Sequence, residues 1–111
     1  MGYYTTFTMT VDKNEEAVAK YIDTTDDRDI HYIFEDTNDN EWYGRSKWYN
    51  YDDDMCVLSA AFPDILFTLT GEGEETGDIW RNWYREGKRL DRWELVFAIP
   101  DRPYYARRVE E

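Results

Sequence analysis

The chain has 111 residues, of which 41% are hydrophobic and 18% are aromatic, and its formal net charge at pH 7 is −12. This length fits one domain spanning residues 1–111, and the aromatic content argues against a disordered chain. The negative charge disfavours direct contact with nucleic acid or with an anionic membrane, and the single cysteine excludes an intramolecular disulfide framework.

The first predicted elements are a strand and a helix. Tyr3–Val11 alternates apolar residues with threonines, which is the period of a strand with one face in a core. Asp12 and Glu15 then have the spacing of a helix capping box, with Asp12 as the N-cap. Apolar residues at helical spacing follow, and the polar segment 24–27 ends the helix.

The middle of the chain predicts one or two further strands. Residues 30–34 alternate in a way that favours a short strand, and residues 35–41 form a polar turn. Glu41–Tyr51 is rich in aromatic side chains, which favours another strand with a bulge at Gly44.

A second helix is predicted to begin at Asp52, Asp53 and Asp54, because negative charge is favoured at a helix N-terminus. Pro63 ends this helix, since the residue before a proline avoids the α region. The buried face of the helix is predicted to comprise Met55, Leu58, Ala61 and Phe62.

Residues 62–88, FPDILFTLTGEGEETGDIWRNWYREGK, predict two antiparallel strands joined by an acidic, glycine-rich loop. The first strand turns one face towards the core with Ile65, Phe67 and Leu69. In the second strand, Trp80, Asn82 and Tyr84 lie on one side. Ile79, Arg81 and Trp83 lie on the other side. After a turn, a last strand is predicted over Leu90–Ile99, and residues 100–111 predict a loosely ordered tail.

This order of elements predicts an α+β fold with one mainly antiparallel sheet of about 4–6 strands and two helices on one face. A ferredoxin-like, split β-α-β arrangement with an extended C-terminal meander satisfies the order. An α+β sheet with another strand order is the alternative.

The sequence lacks the residue patterns that most catalytic and metal-binding sites need. The segment 36–41 matches the first ligand positions of an EF-hand, but Glu41 stands where the loop needs glycine and Lys47 where it needs a bidentate glutamate. The GEGEETG loop has no lysine and carries the wrong charge to cradle phosphate. His31 is the single histidine, and no spacing pairs it with Cys56 as base and nucleophile. We therefore expect no cofactor, no metal site and no enzymatic activity.

Acidic side chains are concentrated in the first two thirds of the chain. Residues 1–78 carry 19 acidic and 5 basic side chains, whereas residues 79–111 carry 6 acidic and 8 basic ones. A solvated surface explains such runs, and the functional alternative is an acidic surface that occupies a Lys/Arg groove by mimicking phosphates. Exposed aromatic side chains among the acids suit interface hot spots. The predicted partner-binding residues are Asp26, Asp27, Asp29, Trp42, Tyr43, Tyr49, Asp52, Asp53, Asp54, Glu72, Glu74 and Glu75.

A basic cluster with interleaved tryptophans follows in the last third of the chain. Its composition is compatible with RNA contact, and ion pairs between neighbouring strands are the simpler interpretation. Its members are Arg81, Arg85, Lys88, Arg89 and Arg92.

A resemblance to known sequences covers residues 46–88. An aromatic KW strand, an acidic helix start, FPD and GEGEE-x-GD-x-W occur in that order, and this segment resembles a family of small proteins carried by phages and other mobile elements. That mostly uncharacterised family is similar in layout to small ferredoxin-like phage proteins, and it supplies no catalytic residues. The resemblance implies a mobile-element accessory protein. Small acidic proteins of that origin often resemble inhibitors of host defence nucleases, including anti-CRISPR proteins and DNA mimics.

The sequence therefore predicts an acidic, non-enzymatic inhibitor of a host nucleic-acid-binding defence complex in the cytoplasm of a bacterial host cell. Its expected partner is a host protein with a basic nucleic-acid-binding surface. The alternative is an accessory domain that binds a peptide or small ligand through an aromatic groove, with acidity serving only solubility. That hypothesis predicts loss of activity when Trp48 or Trp80 becomes alanine. No apolar run of about 18 residues is present, so no membrane span is expected.

Overall fold

The computed structural model describes residues 4–25, 29–34, 36–38, 40–74, 78–96 and 105–109. Within these residues the chain forms seven strands and three helices. In chain order the elements are β1 (Thr5–Val11), α1 (Glu15–Thr24), α2 (Ile30–Ile33), β2 (Asp36–Asn38), β3 (Glu41–Ser46), α3 (Tyr51–Ala61), β4 (Phe67–Gly73), β5 (Ile79–Arg85), β6 (Lys88–Val96) and β7 (Tyr105–Arg108).

The strands pair into one antiparallel sheet in the order β2-β3-β1-β4-β5-β6-β7. The sheet is open, with β2 and β7 at its two edges. It has six strands when the three-residue β2 is left out. The predicted α+β fold with a single antiparallel sheet is confirmed.

One face of the sheet carries the hydrophobic core. Apolar residues alternate with threonines along β1, and the register brings the buried residues of β3, β4 and β5 onto the same face. Val18 and Ile22 of α1 are buried in this core, as are Met55 and Leu58 of α3. We call the face that packs against α1 and α3 the covered face, and the opposite one the bare face.

Two glycines on the covered face are required by close packing. A Cβ atom at Gly71 would overlap the indole ring of Trp80, and one at Gly44 would overlap the carbonyl oxygen of Ile33. The predicted β-bulge at Gly44 is wrong, because β1 and β3 pair continuously around it. The register instead shifts between β5 and β6, where Trp83 pairs with Asp91 and Tyr84 with Arg89, so that Leu90 of β6 is the extra residue.

Residues 30–34, predicted as a strand, instead form helix α2 up to Ile33. Ile30 and Ile33 lie three positions apart, and both are buried. His31 Nδ1 donates a hydrogen bond to the carbonyl oxygen of Ile22 (2.8 Å), which fastens α2 to the end of α1. A short apolar run does not distinguish a strand from a buried helical turn, so packing against α1 decides between them.

The predicted capping box at Asp12 and Glu15 is also wrong. The N-cap of α1 is Asn14, whose φ is 58° and whose side chain makes no capping hydrogen bond. Asp12 Oδ1 instead accepts a hydrogen bond from the backbone N–H of Leu66 (3.0 Å), and Glu15 Oε2 accepts one from that of Asn40 (2.6 Å). Both carboxylates therefore hold neighbouring loops in place.

Several predicted boundaries shift. The strand predicted over residues 41–51 ends at Ser46, and the strand predicted over residues 90–99 corresponds to β6, which begins at Lys88. Of the predicted tail, residues 105–108 form β7, which pairs with β6, and residues 100–104 and 110–111 lie outside the described residues. Of the residues predicted to form the buried face of α3, Met55 and Leu58 are buried. Phe62 is half-buried and Ala61 is exposed.

The turn between β5 and β6 is fastened to α3. Gly87 in this turn has a φ of 80°, in the left-handed region that favours glycine. Its N–H donates a hydrogen bond to Ser59 Oγ (2.9 Å), and the Ser59 hydroxyl donates to the carbonyl oxygen of Cys56 (3.1 Å). Ser59 is fully buried, so moving the turn away from the helix would leave buried polar groups unpaired.

Candidate binding site

Two acidic segments leave the sheet at the same end. The register aligns Thr5 of β1 with Ser46 of β3 and with Gly73 of β4, so these three residues lie side by side. The segment that leads into α3 follows Ser46, and the β4–β5 link follows Gly73. The backbone N–H of Gly73 donates to the carbonyl oxygen of Asp78 (2.8 Å), which closes that link into a hairpin. We call this end of the sheet the hairpin end.

Aromatic contacts hold the start of α3 at the hairpin end. The Tyr51 ring stacks on that of Trp80, with a centroid distance of 4.7 Å and an interplanar angle of 21°. Trp80 is the second residue of β5, directly after the hairpin. The Trp48 ring contacts Phe7 edge-on at 5.1 Å. The first turn of α3 is therefore packed against the part of the sheet from which the hairpin emerges.

Two exposed carboxylates lie at the hairpin end, and a third is exposed in the first turn of α3, on the other side of the sheet from Glu72. Glu72 lies near the end of β4, Glu74 follows that strand, and Asp53 lies in the first turn of α3. The backbone N–H of Tyr4 donates to Glu74 Oε2 (2.6 Å), which holds this carboxylate beside the start of β1. The three charges therefore come from two segments that are distant in sequence.

The other two aspartates at the start of α3 make hydrogen bonds within the protein, although only Asp54 is buried. Asp54 is 4% exposed and accepts a hydrogen bond from Trp48 Nε1 (2.8 Å). Asp52 Oδ1 accepts one from the Tyr84 hydroxyl (2.8 Å) and lies 3.6 Å from a terminal nitrogen of Arg89. The structure thus contradicts the prediction that Asp54 contacts a partner, and it commits one oxygen of Asp52 to the fold.

Asp52 is one end of a polar network on the covered face. Asn82 Nδ2 donates to the Tyr84 hydroxyl (2.9 Å), and Arg92 Nη1 donates to the Tyr51 hydroxyl (3.0 Å). Burial, followed by the hydrogen bond to Asp52, raises the pKa of Tyr84, so its hydroxyl stays protonated and donates. These groups pair with one another, which is the arrangement expected of a structural network.

The predicted aromatic anchors fall into two classes. Trp42 is 3% exposed and pairs with Met9 on the covered face, which contradicts its predicted role as a contact residue. Tyr43, the next residue, is 48% exposed on the bare face. Tyr49 is 66% exposed and lies just before α3, at the hairpin end. The two tyrosines therefore remain candidates for partner contact.

Three predicted contact residues, Asp26, Asp27 and Glu75, lie outside the described residues. Asp29 is exposed one residue before α2. The ring of Phe34, just after α2, lies 5.8 Å from that of Trp48, so α2 is next to the segment that leads into α3.

Neither Cys56 nor His31 has the surroundings of a catalytic group. Burial, followed by the nearby Asp52 and Asp53 carboxylates, raises the pKa of the Cys56 thiol and so disfavours the thiolate. The His31 ring is hydrogen-bonded to the carbonyl oxygen of Ile22. Among the described residues, no group of three His, Cys, Asp or Glu side chains is placed to hold a metal ion.

The predicted basic cluster is divided between the two faces of the sheet. Arg89 and Arg92 contact groups of the covered face, whereas Arg81 and Arg85 lie on the bare face. Ion pairs between neighbouring strands do occur at β6 and β7, but their cations are not members of the predicted cluster: Arg107 lies 2.7 Å from Glu94 and Arg108 lies 2.9 Å from Asp91.

A groove that sequence analysis did not identify lies on the bare face, along β5 and β6. Arg81 pairs with Trp93 and Trp83 pairs with Asp91 in the register, so both indoles are on this face. Together with Ile79 they line a hollow of about 310 Å³. The alternation along β5 was the signal that could have located this groove, because its basic and apolar residues share the face opposite the core.

Comparison of the chain with protein-family models, curated proteins and solved structures found no match. In the part of the chain that the structure describes, no helix is long and apolar enough to cross a membrane. Function is therefore inferred from the geometry of the residues themselves.

Proposed function

We propose that this chain is an acidic, non-enzymatic inhibitor that occupies the Lys/Arg-rich surface of a host nucleic-acid-binding defence complex. The observation that carries the proposal is a set of three exposed carboxylates: Glu72 and Glu74 at the hairpin end, and Asp53 in the first turn of α3 over the covered face. Asp53 lies in α3 and Glu72 lies in β4, and Glu74 accepts a hydrogen bond from the backbone N–H of Tyr4, just before β1. A basic groove that binds successive phosphates would meet a comparable set of fixed negative charges here.

Exposed aromatic side chains near these carboxylates support a contact with protein. Tyr49 is 66% exposed and lies four residues before Asp53. Tyrosine is common at the energetic centres of interfaces because it combines a large apolar ring with a hydroxyl group. Tyr49 is therefore the proposed anchor of the contact, and Asp29 and Tyr43 are its proposed periphery.

A non-enzymatic role is supported by the two residues that sequence analysis considered as nucleophile and base. A catalytic cysteine needs a lowered pKa, whereas the pKa of Cys56 is raised. His31 uses one ring nitrogen on a backbone carbonyl at the end of α1.

We also infer a ferredoxin-like arrangement for the first part of the fold. The strands β4-β1-β3-β2 are neighbours in that order, with α1 and α2 between β1 and β2 and with α3 between β3 and β4. Strands β5, β6 and β7 extend the sheet beyond β4 as a meander. This layout is compatible with the small phage and mobile-element proteins that residues 46–88 resemble, and with a place of action in the cytoplasm of a bacterial host.

Capture from a bacterial lysate with matched charge variants tests the proposal. The test variant carries D53K, E72K and E74K, and the control variant carries E16K, E41K and D64K, three exposed positions away from the hairpin end. Both variants change the net charge equally. We expect wild type and the control to capture nucleic-acid-binding proteins that the test variant does not.

A purified captured protein then provides the quantitative measurement. We expect its affinity for wild type to weaken as salt is added, and we expect wild type to displace a duplex DNA oligonucleotide from it. Equal loss in both variants would show that net charge alone determines binding. Captured proteins that bind no nucleic acid, or an affinity independent of salt, would reject the proposal.

A second candidate function is an accessory domain that binds a peptide or small ligand through an aromatic groove, with acidity serving solubility. The tryptophans first assigned to that groove, Trp48 and Trp80, are only 2% and 8% exposed and belong to the core. The groove lined by Trp83 and Trp93 on the bare face is the observation that favours this candidate instead. It predicts that ligand binding survives the D53K/E72K/E74K changes.

A further inference from the structure

The groove on the bare face of β5 and β6 has a largely apolar floor. Ile79, Trp83 and Trp93 line one part, and Leu90, which is 50% exposed, continues the apolar surface past Trp83. On the other face of β5, the core takes up the large side chains of Trp80 and Tyr84. Tryptophans that remain at the surface in a hollow are typical of contact sites, because they offer a large apolar area with few rotatable bonds.

Two arginines beside this groove have hydrogen-bonding capacity that the described residues do not use. Arg81 Nε donates to the Thr70 hydroxyl (2.9 Å), and Arg81 makes no ion pair within the described part of the chain. Arg85 Nη2 lies 3.9 Å from Asp12 Oδ2, which is too far for a hydrogen bond. Arg85 Nε is buried and has no partner among the described residues. Ligand oxygens near the terminal nitrogens of these two guanidinium groups would therefore gain hydrogen bonds, whereas the buried Arg85 Nε is out of a ligand's reach.

The spacing of these groups matches that of an extended peptide. Arg81, Trp83 and Arg85 occupy alternate positions of β5, so the order along the strand is cation, indole, cation. Alternate residues of a strand lie about 6.8 Å apart. A peptide in the same extended conformation repeats its same-face side chains at this distance, and three of them would meet the three groups in turn.

Charge around the groove favours a short acidic peptide over a nucleic acid. Asp91 and Glu94 border the groove, and the chain as a whole carries a net charge of −12. Both carboxylates pair with arginines of β7, so the groove offers two cations, Arg81 and Arg85, whereas every nucleotide of a bound strand adds a phosphate. A peptide can instead place two carboxylates against the two arginines and remain uncharged elsewhere.

We propose that this groove binds an extended segment of a partner protein in which a large apolar residue is flanked, two positions away on each side, by Asp or Glu. The apolar side chain packs against Trp83 and Trp93, and the flanking carboxylates pair with Arg81 and Arg85. Ile79 of the groove pairs with Glu72 of the hairpin end, so the groove is tested with substitutions at Trp93 and Arg81, which are not altered in the D53K/E72K/E74K variant, and the two proposals can fail separately.

Selection from a displayed library of random peptides tests this proposal. We expect the enriched peptides to share the acidic–x–apolar–x–acidic pattern. The consensus peptide is then synthesised, and its Kd is measured by calorimetry with wild type, W93A and R81E. We expect W93A to weaken binding by about 30-fold, the effect of a tryptophan hot spot, and R81E by at least about 10-fold.

Matched controls separate this site from general effects of the substitutions. Tyr32→Ala removes an aromatic ring that is 70% exposed on α2, and Lys20→Glu reverses an exposed charge on α1. Both should change the Kd less than about twofold. Far-UV circular dichroism of each variant checks that the fold is kept.

Three outcomes would overturn the proposal. The first is a selection that yields basic peptides or no consensus. The second is a consensus peptide that binds W93A and R81E as tightly as wild type. The third uses a labelled single-stranded RNA oligonucleotide of mixed sequence as a separate probe. If this RNA binds wild type and is lost in W93A, the groove is a nucleic-acid site and the peptide assignment is wrong.

Discussion

The two sides of strand β5 are used in opposite ways. On the covered face, Asn82 and Tyr84 are buried, and their polar atoms bond to one another and to Asp52. On the bare face, Trp83 is half-buried in an open groove, and Arg85 Nη2 lies 3.9 Å from Asp12 Oδ2, which is too far for a hydrogen bond. Satisfied polar groups stabilise a fold, whereas unsatisfied ones next to apolar surface favour a ligand. The comparison indicates that one alternating segment serves stability on one face and, as we infer, recognition on the other.

The same contrast separates the aspartates at the start of α3. Asp52 and Asp54 accept hydrogen bonds from Tyr84 and Trp48, whereas Asp53 is exposed to solvent. The three residues are identical in charge, yet only the exposed one is free of these internal roles. Acidic composition therefore does not locate a binding surface until the internal hydrogen bonds are known.

The largest difference between the faces is expected for deletion of a core ring. Phe67 on the covered face is fully buried, so Phe67→Ala should lower the free energy of unfolding by about 3–5 kcal/mol. Trp93→Ala on the bare face should lower it by less than about 1 kcal/mol, because Trp93 is 38% exposed. Urea unfolding measures both. Similar losses of unfolding free energy would mean that the bare face is part of the core, and that the two faces do not differ in their contribution to stability.

Overpacking gives a second test of the covered face. Gly71→Ala places a methyl group where the Trp80 ring lies, which should destabilise the protein by about 1–3 kcal/mol. Thr68→Ala, on the same strand but on the bare face, is the matched control and should cost less. Thermal unfolding compares the two, and the near-UV circular dichroism of the tryptophans should change only for Gly71→Ala. A neutral Gly71→Ala would show that Trp80 is free to move.

Asp53 and Asp54 allow an exposed and a buried aspartate to be compared within one turn of α3. Asp54→Ala leaves the buried Trp48 N–H without its acceptor, so it should cost about 1–3 kcal/mol of unfolding free energy. Asp53→Ala should stay within about 0.5 kcal/mol, since its side chain is exposed. Urea unfolding of both variants is the measurement. Equal costs would mean that helix-dipole interaction, which the two residues share, outweighs the hydrogen bond.

The smallest expected effect is a difference in pH dependence. The pKa of Tyr84 is raised above its ordinary value of 10.0, so its contribution to stability is fully present below that pH and is lost as the pH rises. Between about pH 9 and 11, wild type should lose stability more steeply than Tyr84→Phe, by at most about 1.4 kcal/mol per pH unit. Urea unfolding at several pH values gives the two slopes. Parallel slopes would show that Tyr84 ionises as it does in the unfolded chain.

The sheet strands were predictable where one face is buried and the other is polar. In β1 and β4, buried apolar residues alternate with threonines, and the predicted inward positions Phe7, Met9, Phe67 and Leu69 are all in the core. Alternation at intervals of two is a local property, and it reports directly which side of a strand faces the core.

The candidate site was less predictable because it depends on contacts between distant segments. Trp42 and Tyr43 are adjacent aromatic residues, and only the pairing of Trp42 with Met9 determines which one is exposed. One oxygen of Asp52 is committed to the fold by Tyr84, which lies 32 positions further along the chain. Residues 30–34 became helical for the same kind of reason, since their packing against α1 is not visible in their own pattern.

The hydrogen bond between Gly87 and Ser59 has a consequence for local opening. Backbone amides in turns usually exchange with solvent through small fluctuations, but the Gly87 N–H is paired with a buried hydroxyl on α3. Exchange of the Gly87 amide therefore requires the β5–β6 turn and α3 to separate. Strands β5 and β6 and helix α3 are thus expected to open together as one cooperative unit. A ligand that bound β5 and β6 on the bare face would hold the two strands together. It would therefore slow exchange of the Gly87 amide, although that amide faces α3 and does not contact the ligand.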